Sequence, residues 1–156
     1  MTIHRYATAL AWTGSTGGGY GTYARGHTVS AAPATTTLAL SSDPIFGGDP
    51  SRLNPEQLLV MAASSCQLLS FLAAAARAGI DVLGYDDAAE GTMDDARAPA
   101  AISSIVLRPV IRVAAGTDVV EVQRLVEFAH ADCYIANSLR GRVAIEADVV
   151  VAREGD

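Results

Sequence analysis

One stretch of this 156-residue chain constrains the fold more than any other: Asn54-Pro55-Glu56, then a long apolar run ending near Gly79. Asparagine caps a helix, and proline suits the first helical position because its missing N–H has no partner there. Glu56 meets the positive end of the helix dipole, and Gly79 supplies a stop. The pattern predicts a helix from the Asn54 cap to about Ala78. Its most apolar window, Leu58 to Ile80, is nearly long enough to cross a bilayer. Ser64, Ser65, Gln67, Ser70 and Arg77 interrupt that window, and neither flank is strongly basic. The expectation is therefore a core helix that the rest of the chain must cover, with no membrane partner.

The cover reads as strands. Ile3–Thr13, Tyr20–Ser30 and Thr35–Leu40 are strand-like, separated by the glycine-rich Gly14–Gly21 and by Pro33; Ser41–Leu53 reads as a loop. After the helix come a strand at Ile80–Leu83 and an acidic stretch, Asp86 to Asp95, expected as a solvated loop. Ala101–Val113 reads as a further strand with Pro109 marking an irregularity. Thr117 is placed as the cap of a second amphipathic helix through Asp132, and Arg142–Ala152 as a final strand. The order predicts an α+β fold. With no repeat and no linker, residues 1–156 are expected to form one domain, as suits a chain within the roughly 100–200 residues typical of a domain.

Composition narrows the chemistry. A net charge of −6 argues against nucleic acid as a partner. All eleven basic residues are arginine, which excludes lysine Schiff bases and a Walker-type phosphate lysine. His4, His27 and His130 offer no second ligand pair to complete a metal site, so no metal and no cofactor is expected. Met1–Tyr6 shows none of the features of a secretory leader, and the expected location is the cytoplasm.

Two cysteines are too few for a disulfide scaffold and must be judged singly. Read locally, Cys66 is a packing residue in the middle of an alanine-rich helix. A reactive thiol there needs a cation to stabilise its thiolate, and without lysine that cation is an arginine brought from elsewhere. Cys133 follows the second helix, beside Tyr134 and Asn137.

Asn54-Pro55-Glu56-Gln57-Leu58-Leu59, Cys66 ten residues after the glutamate, and a late His-x-x-Cys-x-x-x-Asn-Ser segment together resemble the OsmC/Ohr family of osmotically inducible and organic hydroperoxide resistance proteins. The resemblance spans nearly the whole chain, while Tyr134, where many members carry proline, marks a divergent branch. It implies an OsmC-like α+β fold with antiparallel sheets around a long central helix, assembled as an intertwined homodimer with active sites at the interface. It further implies a thiol peroxidase in which Cys66 attacks an organic hydroperoxide and Cys133 resolves the sulfenic acid. Glu56 matches the motif's glutamate, and Arg25 is the best match for the activating arginine, with Arg52 the competitor. A dithiol, with lipoylated proteins a candidate, would be the reductant.

Helix arithmetic bears on that shared site. Ten residues at ~1.5 Å each put Glu56 and Cys66 about 15 Å apart on one helix. No proline or glycine breaks the interval, so a second chain would have to supply the glutamate. Met61, Phe71, Tyr134 and Ile135 are apolar candidates to line the site and favour organic peroxides, Met61 and Phe71 reading equally as core. The alternative function is a dimeric small-molecule-binding or stress protein on the same fold, without efficient turnover.

Overall fold

The structure, a computed structural model, describes residues 2–96 and 98–153. Its contacts divide the chain into two compact units, Met1–Leu58 and Leu59–Asp156. The division falls near the start of the long helix, where no compositional change announces it.

The first unit carries an antiparallel sheet, β1 (Ala9–Ala11), β2 (His27–Ser30) and β3 (Thr37–Leu40), in that order. These strands are shorter than the sequence predicts. Every residue of β1 is exposed, so no buried face sustains pairing over Ile3–Thr13. The backbone carbonyls of Tyr20 and Tyr23 bind the Arg25 guanidinium, and the segment forms a cradle instead of a ladder. A short 3₁₀ turn, Pro44–Phe46, is capped by Asp43, which accepts from Ile45 N at 2.9 Å.

The long helix α1 runs Pro55–Arg77, as expected. Its start is a reciprocal capping box: Asn54 Oδ1 accepts from Gln57 N at 2.8 Å, and Gln57 Oε1 accepts from Asn54 N at 3.0 Å. Gly79 ends it at φ +73, a conformation that only glycine adopts without strain.

The second unit holds two three-stranded sheets. One is ordered β4 (Val82–Asp87), β7 (Pro109–Val113), β9 (Asp148–Val151); the other β5 (Glu90–Met93), β6 (Ile102–Leu107), β8 (Arg142–Ile145). The stretches predicted as the single strands 101–113 and 142–152 thus each split and pass from one sheet to the other. Arg108 sits at the crossing: its backbone N–H donates to Asp87 at 2.7 Å, and its guanidinium reaches Glu146 at 3.1 Å and Glu90 at 3.3 Å. The acidic stretch is therefore not a loop throughout, because Asp86 and Asp87 end β4 and Glu90 begins β5.

Pairing within the sheets is mixed rather than wholly antiparallel: β6 with β8 and β7 with β9 run parallel. The chain returns to both sheets through α2 (Val119–Ala131), and a helical crossover is what brings a strand back in the same direction. Asp118, not Thr117, caps α2 by accepting from Val120 N at 2.9 Å; Thr117 donates instead to Ala114 O within the preceding turn. A one-turn helix, α3 (Tyr134–Ser138), follows.

Two apolar clusters anchor this unit. Phe71, Ala74 and Ala75 of α1 pack with Ile111, Val113 and the α2 residues Val122, Leu125 and Val126. Ala63 packs with Ile105 and Leu107. The apolar window of α1 is long and hydrophobic enough for a membrane span by composition, yet its buried residues pack in this core.

Candidate functional site

Cys66 lies mid-helix on α1 and is partly exposed. Cys133 is 1% exposed and caps α3, its Sγ accepting from Ala136 N at 3.5 Å. Neighbouring hydrogen bonds explain why the chain turns there. Asn137 Nδ2 donates to Ala131 O at 2.9 Å, closing the end of α2, and Ser138 Oγ donates to Tyr134 O at 2.7 Å. The Asn-Ser pair of the late motif therefore positions the cysteine through the backbone.

Both cysteines are free thiols, and the fold brings Cys66 near enough to Cys133 to act on its ionisation. Burial pushes the Cys133 thiol above its ordinary range, the Ala136 N–H partly offsets this, and the adjacent Cys66 raises it further. Cys133 is thus held as a neutral thiol near neutral pH.

Cys66 opens into a cleft of about 480 Å³ walled by Leu69, Phe128, Tyr134 and Ile135. Tyr134 and Ile135 take the lining role expected of them. Phe71 does not, being 0% exposed within the core, and Met61 is not part of the lining. The cleft also contains Arg77, which the sequence reading passed over as an interruption of the apolar run. Its spacing of eleven residues from Cys66, close to three helical turns, puts both on one helix face.

The first unit places Arg25 in a cradle. Its guanidinium donates to Tyr23 O and Tyr20 O, each at 2.6 Å, and lies 4.1 Å and 4.8 Å from the ring centres of Tyr23 and Tyr20. Gly47 leaves room for it, since a Cβ there would sit 3.1 Å from Arg25 Cζ. Trp12 Nε1 donates to Ala24 O at 2.8 Å, and His27 Nδ1 donates to Arg25 O at 2.9 Å, fixing the backbone on both sides. The guanidinium and the Trp12, Tyr23 and His27 side chains line a cavity of about 420 Å³.

Among the described residues no ion pair engages Arg25, and none joins it to Glu56. Arg52 differs: its Nε pairs with Asp49 at 3.4 Å. The Asp49 carboxyl is held below its ordinary range by hydrogen bonds from Ser51 and by the Arg52 charge. Of these two arginines Arg25 is thus the one without a carboxylate partner among the described residues, and carbonyls orient it in place of the expected Glu56. Glu56 is partly buried in the first turn of α1, and the helix has no break between it and Cys66.

Comparisons with known proteins agree with this architecture. A family model described as OsmC-like protein matches residues 48–148. An OsmC-like protein of unknown function from Vibrio cholerae superposes with a TM-score of 0.83 at 25% identity, covering 93% of this chain and 99% of that one. An organic hydroperoxide resistance protein from Legionella pneumophila gives 0.72 at 20% identity, covering 97% and 100%. Among curated sequences, the uncharacterized protein YmaD of Bacillus subtilis is 21% identical over 132 residues, 83% of this chain and 87% of its own length.

Proposed function

Because this chain belongs to the OsmC-like protein family, we propose that it is a cysteine-based peroxidase that reduces organic hydroperoxides to alcohols. Several solved relatives of the same fold are named organic hydroperoxide resistance proteins. The observation that carries the reading is the thiol pair, one partly exposed at a cleft and one buried behind it.

The Cys66 thiolate attacks the outer peroxide oxygen, the O–O bond breaks, and the alkoxide leaves to be protonated as the alcohol. Cys66 is left as a sulfenic acid. Cys133 displaces its hydroxyl as water, forming a disulfide that an external dithiol, with lipoylated proteins a candidate, returns to two thiols. The apolar walls of the cleft favour an organic over a hydrogen peroxide substrate. Arg25 stabilises the thiolate and peroxide oxygen, and Glu56 acts with it. An unbroken α1 separates Glu56 from the Cys66 of its own chain, which supports a homodimer in which one copy serves the other. Leu69, 64% exposed, with Met61 and Leu72 gives α1 an apolar outer surface that a second copy would cover. The whole chain acts as one OsmC-like domain, and its free thiols suit a reducing cytoplasm.

The test is consumption of cumene hydroperoxide with dihydrolipoamide as reductant. Wild-type protein turns over, and Cys66→Ser abolishes it. A wild type without turnover leaves the second reading, a dimeric binding protein, which a cleft lined by both Arg77 and apolar side chains also accommodates. Unchanged turnover in Cys66→Ser would remove Cys66 from the chemistry.

A further inference from the structure

Among the described residues three buried side-chain atoms lack a hydrogen-bond partner: Gln67 Oε1, Tyr85 Oη and His130 Nδ1. Gln67 is 0% exposed, next to Cys66 in sequence, and fixed by donating through Nε2 to Val126 O of α2 at 3.2 Å. Tyr85 and Asp87 lie two residues apart on β4 and hence on one strand face. Asp87 accepts from Ser64 Oγ, while the Tyr85 ring lies 6.0 Å from that of Phe71. Ser64 and Phe71 bracket Gln67 on α1, so Tyr85 on β4 faces the same stretch of the helix that carries Gln67. A buried donor left unmade costs stability and calls for a reason.

The reaction supplies one. Burial makes Cys133 a reluctant thiolate, yet it must develop negative charge as it attacks oxidised Cys66. Desolvation holds Tyr85 as a neutral phenol, and both Asp87 and charge on Cys133 raise it further, so phenol and thiol share one environment. Asp87 is occupied by Ser64 and by the Arg108 backbone, and Asp132 lines the open cleft. His130 Nε2 donates to Val143 O, and in that tautomer its unpartnered Nδ1 is an acceptor, not a donor. The phenol is thus the uncommitted donor.

We propose that Tyr85 is a positioning residue for resolution: its hydroxyl turns to donate to Cys133 Sγ as that sulfur attacks oxidised Cys66. This rests on the peroxidase reading. The Cys66 S–O bond breaks, the S–S bond forms, and the Cys133 thiol proton leaves with the hydroxyl as water. Tyr85 keeps its own proton. The two electrons that reduced the hydroperoxide came from the thiol pair, which ends as the disulfide.

The variant Tyr85→Phe keeps the ring against Phe71 and deletes only the donor. After one equivalent of cumene hydroperoxide, the sulfenic acid, trapped with dimedone and read by mass, forms at the wild-type rate. Its conversion to disulfide slows about tenfold, the size of one charge-assisted hydrogen bond, and the pH profile of that step moves up by about one unit. Equal lifetimes and profiles in the two proteins overturn the proposal. A second arm needs no peroxide: in Cys66→Ser protein, the pH dependence of Cys133 alkylation by iodoacetamide reports its acidity. Adding Tyr85→Phe raises that midpoint; an unchanged midpoint overturns the role of Tyr85. Failure of the wild type to form any sulfenic acid, with the alkylation midpoint still shifted, counts against the peroxidase reading alone.

Discussion

The Arg25 cradle and the Cys66–Cys133 pair solve opposite problems. Arginine is charged at any relevant pH, so the first unit needs only to aim it, and it uses backbone carbonyls and two tyrosine rings near solvent to do so. Thiols are neutral when protonated and can be buried cheaply, so the second unit places Cys133 in packed interior, where dryness keeps it protonated. The structural settings differ accordingly. Apolar clusters fill the second unit, whereas among the described residues of the first those that are buried are Leu40, Ser41 and Asn54. A fixed charge can be set on a thin scaffold; tuned thiols need a core.

The largest test of that contrast is one of stability. Phe71→Ala deletes a fully buried ring from the cluster of α1, α2 and β7 and is expected to cost about 3–5 kcal/mol in urea unfolding. Leu10→Ala, at a side chain 66% exposed in β1, is expected to change stability by less than about 0.5 kcal/mol in dilute protein. A large Leu10 effect that grows with protein concentration would show that a second copy supplies the core the first unit lacks.

Next in size is the kinetic separation of the two arginines. Arg25→Ala is expected to lower kcat/KM for cumene hydroperoxide about 100-fold, equivalent to about 2.7 kcal/mol of transition-state stabilisation. Arg25→Lys recovers little, because an ammonium cannot span both carbonyls and stack between the rings. Arg52→Ala, which breaks only an exposed pair with Asp49, leaves kcat/KM near wild type. The reverse ranking would transfer the role to Arg52 and reduce the cradle to a structural device.

These contrasts follow what the sequence could and could not express. The α1 boundaries were legible because cap, first-turn proline and stop are local signals: Asn54 acts through its side chain on the first turn, and Pro55 and Gly79 act through their own backbone. The pairing of the thiols came only with the family resemblance, since nothing local to Cys66 or Cys133 encodes that α2 and α3 carry one to the other. Strand lengths failed in the first unit for a related reason: the Tyr20 and Tyr23 carbonyls bind a side chain, a competition that propensity does not register. The split at Arg108 showed only as the irregularity at Pro109, and the one at Glu146 was hidden because strand-like residues continue on both sides of the crossing. Arg77 could have been found by counting helical turns from Cys66, and the capping role of Gln57 by its spacing from Asn54.

The smallest expected effect concerns the junction of the two units, where the capping box lies. Asn54→Ala removes the acceptor for Gln57 N and is expected to cost about 1 kcal/mol. Asn54→Asp keeps an oxygen for that N–H and adds a charge that the helix dipole favours, but its carboxylate would face Asp43, which now accepts from Asn54 Nδ2 at 3.4 Å. The two effects oppose each other, so Asn54→Asp should fall between wild type and Asn54→Ala in thermal stability. A loss confined to thermal stability, with the Cys66 sulfenic acid forming at the wild-type rate, would make the cap a purely structural start to α1. A parallel loss of peroxide reactivity would instead tie the first turn of α1, and Glu56 within it, to the chemistry of Cys66.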